Sequence, residues 1–192
     1  FDQYETKVQQ AVAETDGQVV LYDGAPIMAV FHSSSAGSTA ASGDVWTAEL
    51  PYLVSVKSPE EADSVPNYYS VNTFTAEEFR TIFCKAHADA RLSGDCGGWV
   101  KDILLTNAGR VASATVGGVS VTGKELRSLF GLRSAVFTVE TAGDTITFHV
   151  TGYGHGVGMS QYGANELAKE GKNWQEILQW YYTGVTIGLY NG

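Results

Sequence analysis

The sequence predicts an α+β fold, mostly antiparallel sheet built from hairpins, with about four to five short helices and long Ser/Gly-rich loops lining a groove. Three observations predict it. Hairpin-type turn pairs, Asp23-Gly24, Gly117-Gly118 and Gly143-Asp144, separate short apolar or β-branched runs. Cap residues followed three positions later by Glu mark helix starts at Thr75, Thr122 and Asn173. The two kinds of element are interleaved without regular strand–helix–strand alternation, which disfavours a doubly wound parallel sheet.

Taken in order, Thr6 to Glu14 carries Val8, Ala11 and Val12 at helical spacing and stops at Asp16-Gly17. Gln18–Tyr22 and Ile27–His32 form a hairpin around Asp23-Gly24. The stretch Ser33 to Asp44 has no periodicity and is expected as a long surface loop, a kind of segment that is usually functional or mobile. Thr75 opens a helix whose face is Phe79, Ile82, Phe83 and Ala86; Thr122 opens a shorter one with Leu126, Leu129 and Phe130, stopped by Gly131. Between them lie strands at 100–106, 111–116 and 119–121, followed by 135–140 and 145–151. A helix around Asn165 and 167–169 is defined by its stop at Gly171, and the last runs from Asn173 with Ile177, Leu178 and Tyr181 inward. No internal repeat is present.

Composition narrows the function classes. A chain of 192 residues with 44% hydrophobic and 17% charged residues is globular and has room for one good core or a core with an appended lobe. Its 12 Lys and Arg against 21 Asp and Glu give a net charge of −9, which would repel nucleic acid. No run of 18 apolar residues occurs, so no membrane-spanning helix is expected. The chain starts at Phe1-Asp2-Gln3-Tyr4 with neither an initiator Met nor a signal peptide, as a mature or trimmed product would. Cys84 and Cys96, twelve positions apart, could close a disulfide loop; equally, Cys84 could be a small buried hydrophobe with Cys96 free. Metal-type spacings such as C-x2-C or H-x3-H are missing, so no metal site is expected within the chain.

The segment richest in chemistry is Gly152-Tyr153-Gly154-His155-Gly156-Val157-Gly158-Met159-Ser160-Gln161-Tyr162-Gly163-Ala164, between a strand and a helix. Alternating glycines let the backbone turn sharply and approach another surface. His155, Ser160, Gln161 and Tyr162 add polar groups there, where unpaired N–H groups at the helix start favour an oxygen-rich ligand. The spacing G-x-G-x-G-x-G without a following Lys is not that of a phosphate loop. A serine-hydrolase reading with Ser34, His155 and Asp44 lacks the G-x-S-x-G elbow such enzymes use.

This string resembles the G-H-G-V-G-M-S-Q-[YW]-G-A hallmark of the SpoIID (stage II sporulation protein D, or amidase enhancer) family. Phe31-His32-Ser33-Ser34-Ser35-Ala36-Gly37 resembles the family's F-H-S-[ST]-S-G-G loop, with Asp44-Val45-Trp46 and Pro51-Tyr52-Leu53 after it. Gly123 to Arg127 with Gly131 to Ser134, and Glu176-Ile177-Leu178 with Tyr181-Tyr182 and Gly184, resemble two further family segments. The resemblance covers about Val8 to the C-terminus and implies that 1–192 is one SpoIID-type domain, with a smaller lobe near 70–135.

Family members open the domain with a segment like E-M-P…E-A-L-K-A-Q-A-V-A-A-R-T-Y, whose first Glu is the expected general acid/base; that pattern does not occur here. A Cys/His zinc cluster of some members belongs to the same stretch. The resemblance implies a lytic transglycosylase outside the cytoplasmic membrane, in the cell wall or on the membrane's outer face, with any anchor upstream. It would cut the MurNAc–GlcNAc bond of peptidoglycan to 1,6-anhydro ends with one carboxyl, where ordinary glycosidases use two. The alternative is a peptidoglycan-binding module that enhances a partner amidase. Expected partners are glycan strands, a wall amidase and the protein's own N-terminal fragment. The chain alone is expected to be inactive, its Glu lying upstream of residue 1. Expected substrate contacts are Ser33, Ser34, Ser35, Asp44, Trp46, His155, Ser160, Gln161 and Tyr162. Asp44, beside Trp46, is the best in-chain carboxylate, against a plain loop-anchoring role. Glu60-Glu61, after Ser58-Pro59, reads as a solvated turn, and His32 as a packed strand end or a groove residue.

Overall fold

The computed structural model describes residues 2–190; Phe1, Asn191 and Gly192 lie outside the described residues. Helix α1 (Asp2–Glu14) is followed by β1 (Gln18–Tyr22), β2 (Ala25–Pro26) and β3 (Phe31–His32), then by a long connection holding a 3-10 turn at Ser42–Asp44. Next come β4 (Tyr69–Thr75), α2 (Ala76–Ala86), a second 3-10 turn at Cys96–Gly98, β5 (Val100–Leu105), β6 (Val111–Val116), β7 (Val119–Thr122) and α3 (Gly123–Leu129). The chain closes with β8 (Phe137–Ala142), β9 (Thr145–Thr151), β10 (Met159–Ser160), α4 (Gln161–Lys169), α5 (Trp174–Tyr181) and β11 (Thr186–Leu189). Three small antiparallel sheets, β11-β1-β2, β4-β9-β8 and β5-β6-β7, carry the α+β architecture, and β3 with β10 forms one short parallel pair.

Two apolar clusters organise these elements. The first joins α2, α3 and the inner faces of two sheets, where Phe79 stacks on Phe130 with centroids 4.5 Å apart and Phe148 and Ile146 are fully buried. The second is built from Ala40, Leu53, Val157, Leu167, Ile177, Tyr181, Tyr182 and Val185, drawn from both ends of the chain. The glycine-rich turn, through Val157, belongs to this second cluster.

Local signals formed as read where partners were near in sequence. Thr75 and Asn173 make reciprocal capping boxes with Glu78 and Glu176. Thr122 accepts from Glu125 N, but the Glu125 carboxyl is paired instead with His87 at 3.0 Å. Asp23 and Gly24, both at positive φ, turn the first hairpin as expected. Its second arm differs from the predicted Ile27–His32: Ala25–Pro26 pairs with β1, and of the predicted arm only Phe31–His32 is strand, pairing with β10 instead. Ala86 is exposed, so the buried face of α2 rests on Phe79 and Phe83. Both cysteines are free; the buried Cys96 thiol donates to Gly143 O at 3.4 Å. In α1 the stripe containing Val8 and Val12 is exposed, both over 60%.

Candidate functional site

The predicted surface loop 33–44 is largely interior. Ser34, Ser35, Thr39, Ala40 and Ser42 are buried, since the loop's backbone is zipped to the glycine-rich turn on one side and to 53–56 on the other. Ser34 and Tyr153 exchange two backbone bonds of 2.9 and 3.1 Å, Ala40 N donates to Gly156 O at 2.7 Å, and Thr39 N donates to Val56 O at 2.8 Å. Polar backbone buried this way needs such partners, and the alternating glycines make the approach feasible. Gly158, at φ +73°, lies so close to Val30 O that a Cβ there would collide with it.

His32 is 4% exposed. Its Nδ1 donates to Val157 O (3.2 Å), so Nε2 accepts from the Ser35 hydroxyl (2.7 Å). Burial, the largest cause, pushes its pKa down to about 4 against the opposing Val157 carbonyl, and the ring is neutral at pH 7. This is the packed strand end.

His155 is half-buried between rings: Trp46 lies 5.4 Å and His32 5.7 Å away, centroid to centroid. Its Nδ1 accepts from Val157 N at 3.1 Å, and its other ring nitrogen, Nε2, donates to the Phe31 backbone carbonyl. Burial first, then the charges of Arg110 and Arg127, lower its pKa. With Nδ1 accepting a backbone N–H, no carboxylate orients His155 as a hydrolase base, and Ser34 is buried, so the geometry adds no support to a Ser34–His155–Asp44 triad.

The largest correction concerns Glu60, which is 2% exposed and no solvated turn. Its Oε1 accepts from Ser35 N (2.6 Å) and from the Ser160 hydroxyl (2.5 Å). Its Oε2 is buried without a hydrogen-bond partner, near the Ser58–Tyr181 hydroxyl pair (2.7 Å). Ser160 also caps α4 by accepting from Gly163 N at 3.2 Å. Glu61 alone is exposed, as expected. The signal that could have found this knot is Gly163, a glycine in the first turn of a helix. A Cβ there would strike the Tyr181 hydroxyl, Ser58 and Glu60.

The structure thus sorts the candidate contacts. Ser34, Ser35 and Ser160 point their polar groups into the protein; Ser33, Trp46, His155 and Tyr162 are partly exposed; Asp44 and Gln161 are exposed. Tyr162 N donates to Ser33 O at 3.1 Å, which fixes these two walls together. Asp44 ends its 3-10 turn beside Arg110, with Lys124 on the same cleft of about 90 Å³; Ser42, accepting from Leu50 N at 2.8 Å, anchors the loop. Arg110 carried no signal in the sequence. It is 7% exposed behind Gly156, and burial, then the Arg127 charge, holds its pKa down at about 10, against the opposing Asp44 charge. Among the described residues no group of three His, Cys, Asp or Glu side chains converges as a metal site would.

No family model matches the chain. It is 41% identical over 191 residues to stage II sporulation protein D of Bacillus subtilis (strain 168), an alignment covering 96% of this chain and 52% of that protein. The stage II sporulation protein D of Bacillus amyloliquefaciens is 41% identical over 182 residues, 94% of this chain and 51% of the relative. An amidase enhancer of Bacillus subtilis (strain 168) is 28% identical over 236 residues, covering 97% of this chain and 33% of its own length. The chain spans about half the length of the stage II sporulation proteins it matches. With that identity along nearly its whole length and the G-H-G-V-G-M-S-Q-Y-G-A string at the site, the chain belongs to the SpoIID family.

Proposed function

We propose that this chain forms the glycan-holding groove of a peptidoglycan lytic transglycosylase that acts in cell-wall remodelling outside the cytoplasmic membrane, as in sporulation engulfment. The observation that carries the reading is the Trp46–His155 ring pair, set between two walls of uncharged polar groups that are locked together by buried hydrogen bonds. An aromatic face suits the apolar face of a sugar ring, and fixed hydroxyl, amide and imidazole groups suit acetamido and hydroxyl oxygens. Ser33, Trp46, His155, Gln161 and Tyr162 take the contacts; Ser34, Ser35, Ser160 and Glu60 hold the walls in place.

In this reaction one carboxylic acid protonates the glycosidic oxygen as the C1–O bond breaks. The resulting carboxylate takes the C6 hydroxyl proton, and that oxygen closes on C1 to give the 1,6-anhydro ring, restoring the acid. Glu60 does not suit this task, since its Oε1 already accepts two hydrogen bonds in the interior. Asp44 is exposed and lines the small cleft with Arg110 and Lys124. The acid/base is therefore assigned to the family's E-M-P glutamate, a motif that these residues do not contain. The second reading is a peptidoglycan-binding module that enhances an amidase; one relative is named an amidase enhancer.

The test compares this chain with a longer one carrying the E-M-P segment on purified glycan strands. The transglycosylase reading expects both to bind glycan and only the longer one to release 1,6-anhydro ends. A longer chain that binds without cleaving, and accelerates an added amidase, establishes the second reading. Cleavage by the 192 residues alone would overturn the assignment of the acid.

A further inference from the structure

Against its net charge of −9, the protein gathers Lys124, Arg127 and Arg133 around one pocket of about 520 Å³, completed by Ser128, Leu132 and Tyr153. No acidic residue lines it, and among the described residues none of these three cations makes a salt bridge. Folding accounts for part of the cluster: Arg127 lies in the last turn of α3, where the helix dipole favours a cation. Lys124 sits in the first turn of α3, where the helix dipole opposes a cation. Arg127 uses its Nε on Leu132 O at 3.3 Å, yet is partly buried and further disfavours Arg110, another cation. Arg133 lies 4.1 Å over the Tyr153 ring with its Nε buried and unpartnered. Like charges gathered around a pocket that no acidic residue lines are matched by an anion.

The pocket is linked to the Trp46–His155 pair through the chain: Tyr153, which lines it, exchanges backbone bonds with Ser34 on the Ser-rich loop, Gly154 N donates to Arg133 O at 3.0 Å, and the Arg127 charge is felt at His155. We propose that this pocket is an anion subsite that receives a carboxylate carried by the muramic acid residue next to the bond held at Trp46 and His155. This rests on the glycan reading above. That carboxylate has two sources: the free lactyl group of a glycan without peptides, or a carboxylate of an attached stem peptide. Arg fits it as a planar two-point donor, and Lys124 adds a third charge.

The test is calorimetric titration of the 192-residue chain with short glycans of alternating GlcNAc and MurNAc. The same oligomers with the lactyl carboxylate free, methyl-esterified or bearing stem peptides are compared with a GlcNAc oligomer that lacks the lactyl group. The subsite predicts that the free acid or the peptide-bearing form binds about tenfold to a hundredfold tighter than the ester, the ratio that one charge-assisted hydrogen bond supplies. Preference for the free acid identifies the lactyl source, and preference for the peptide-bearing form identifies the stem. The double variant K124Q/R133Q should bind acid and ester alike while keeping the wild-type affinity for the ester and the GlcNAc oligomer. Equal binding of acid, peptide-bearing form and ester by the wild-type chain overturns the subsite and leaves the groove standing. No binding of any oligomer overturns the groove, and the subsite with it.

Discussion

Replacing Glu60 tests whether one buried carboxylate holds the two walls together. In Glu60→Ala, Ser35 N and the Ser160 hydroxyl lose their acceptor at positions 4% and 0% exposed. Each stranded buried donor costs about 1–3 kcal/mol, and the vacated side-chain volume adds a cavity. Ser160 recovers part by turning fully to Ser33 O, now 3.4 Å away. The net loss is roughly 3–6 kcal/mol, a large share of a typical stability of about 5–15 kcal/mol. Glu60→Gln keeps an acceptor at Oε1 and places its amide near the hydroxyl oxygens of Ser58 and Tyr181. It loses only charge assistance, about 1–2 kcal/mol. Urea unfolding followed by tryptophan fluorescence reads both, with a shifted midpoint at unchanged slope as the sign of a stability change. The reasoning is refuted if Glu60→Ala unfolds within about 0.5 kcal/mol of wild type, the range of an ordinary surface substitution.

Three other outcomes rest on the same geometry. Gly158→Ala puts a Cβ against Val30 O at φ +73° and should destabilise by about 2–5 kcal/mol, seen as a lower thermal midpoint, by forcing β3 from β10. His32, whose folded pKa near 4 lies below the unfolded 6.5, leaves stability intact above pH 6.5 and withdraws about 3 kcal/mol as pH falls to 4, because the unfolded chain binds the extra proton. Urea midpoints at several pH values and an imidazole NMR titration check this, and a His32 that titrates near 6.5 in the folded protein removes the basis for it. Trp46→Ala should weaken glycan oligomer binding roughly threefold to tenfold, with Trp46→Phe restoring most of it, measured by titration calorimetry.

What was legible in the sequence had partners close by along the chain. Thr75 with Glu78 and Asn173 with Glu176 are capping boxes spanning three positions, and the hairpin at Asp23-Gly24 is set by its own dihedral angles. The glycine-rich string was legible because close backbone approach demands glycine in a visible rhythm. Glu60 was not. Its donors come from Ser35 and Ser160, 25 and 100 residues away, and nothing in Ser58-Pro59-Glu60-Glu61 announces them. The interior placement of the Ser33–Asp44 segment is illegible for the same reason, since polar composition suggests solvent until the partners that bury it are known. In Thr122 to Glu125 the local rule half failed because His87, from another element, competed for the same carboxyl.

The short parallel pair between β3 and β10 has a kinetic consequence. Its neighbours Ser33 and Ser160 meet across 127 residues, and the first apolar cluster is strung entirely between them. Closing so long a loop costs about 4 kcal/mol of chain entropy beyond the constant term, with only two residues of ladder on each side to offset it. Folding the intervening sheets first shortens that loop to a fixed span. The groove should therefore be among the last features to form and the first to open, and glycan binding would report completed folding more faithfully than helix or sheet content does.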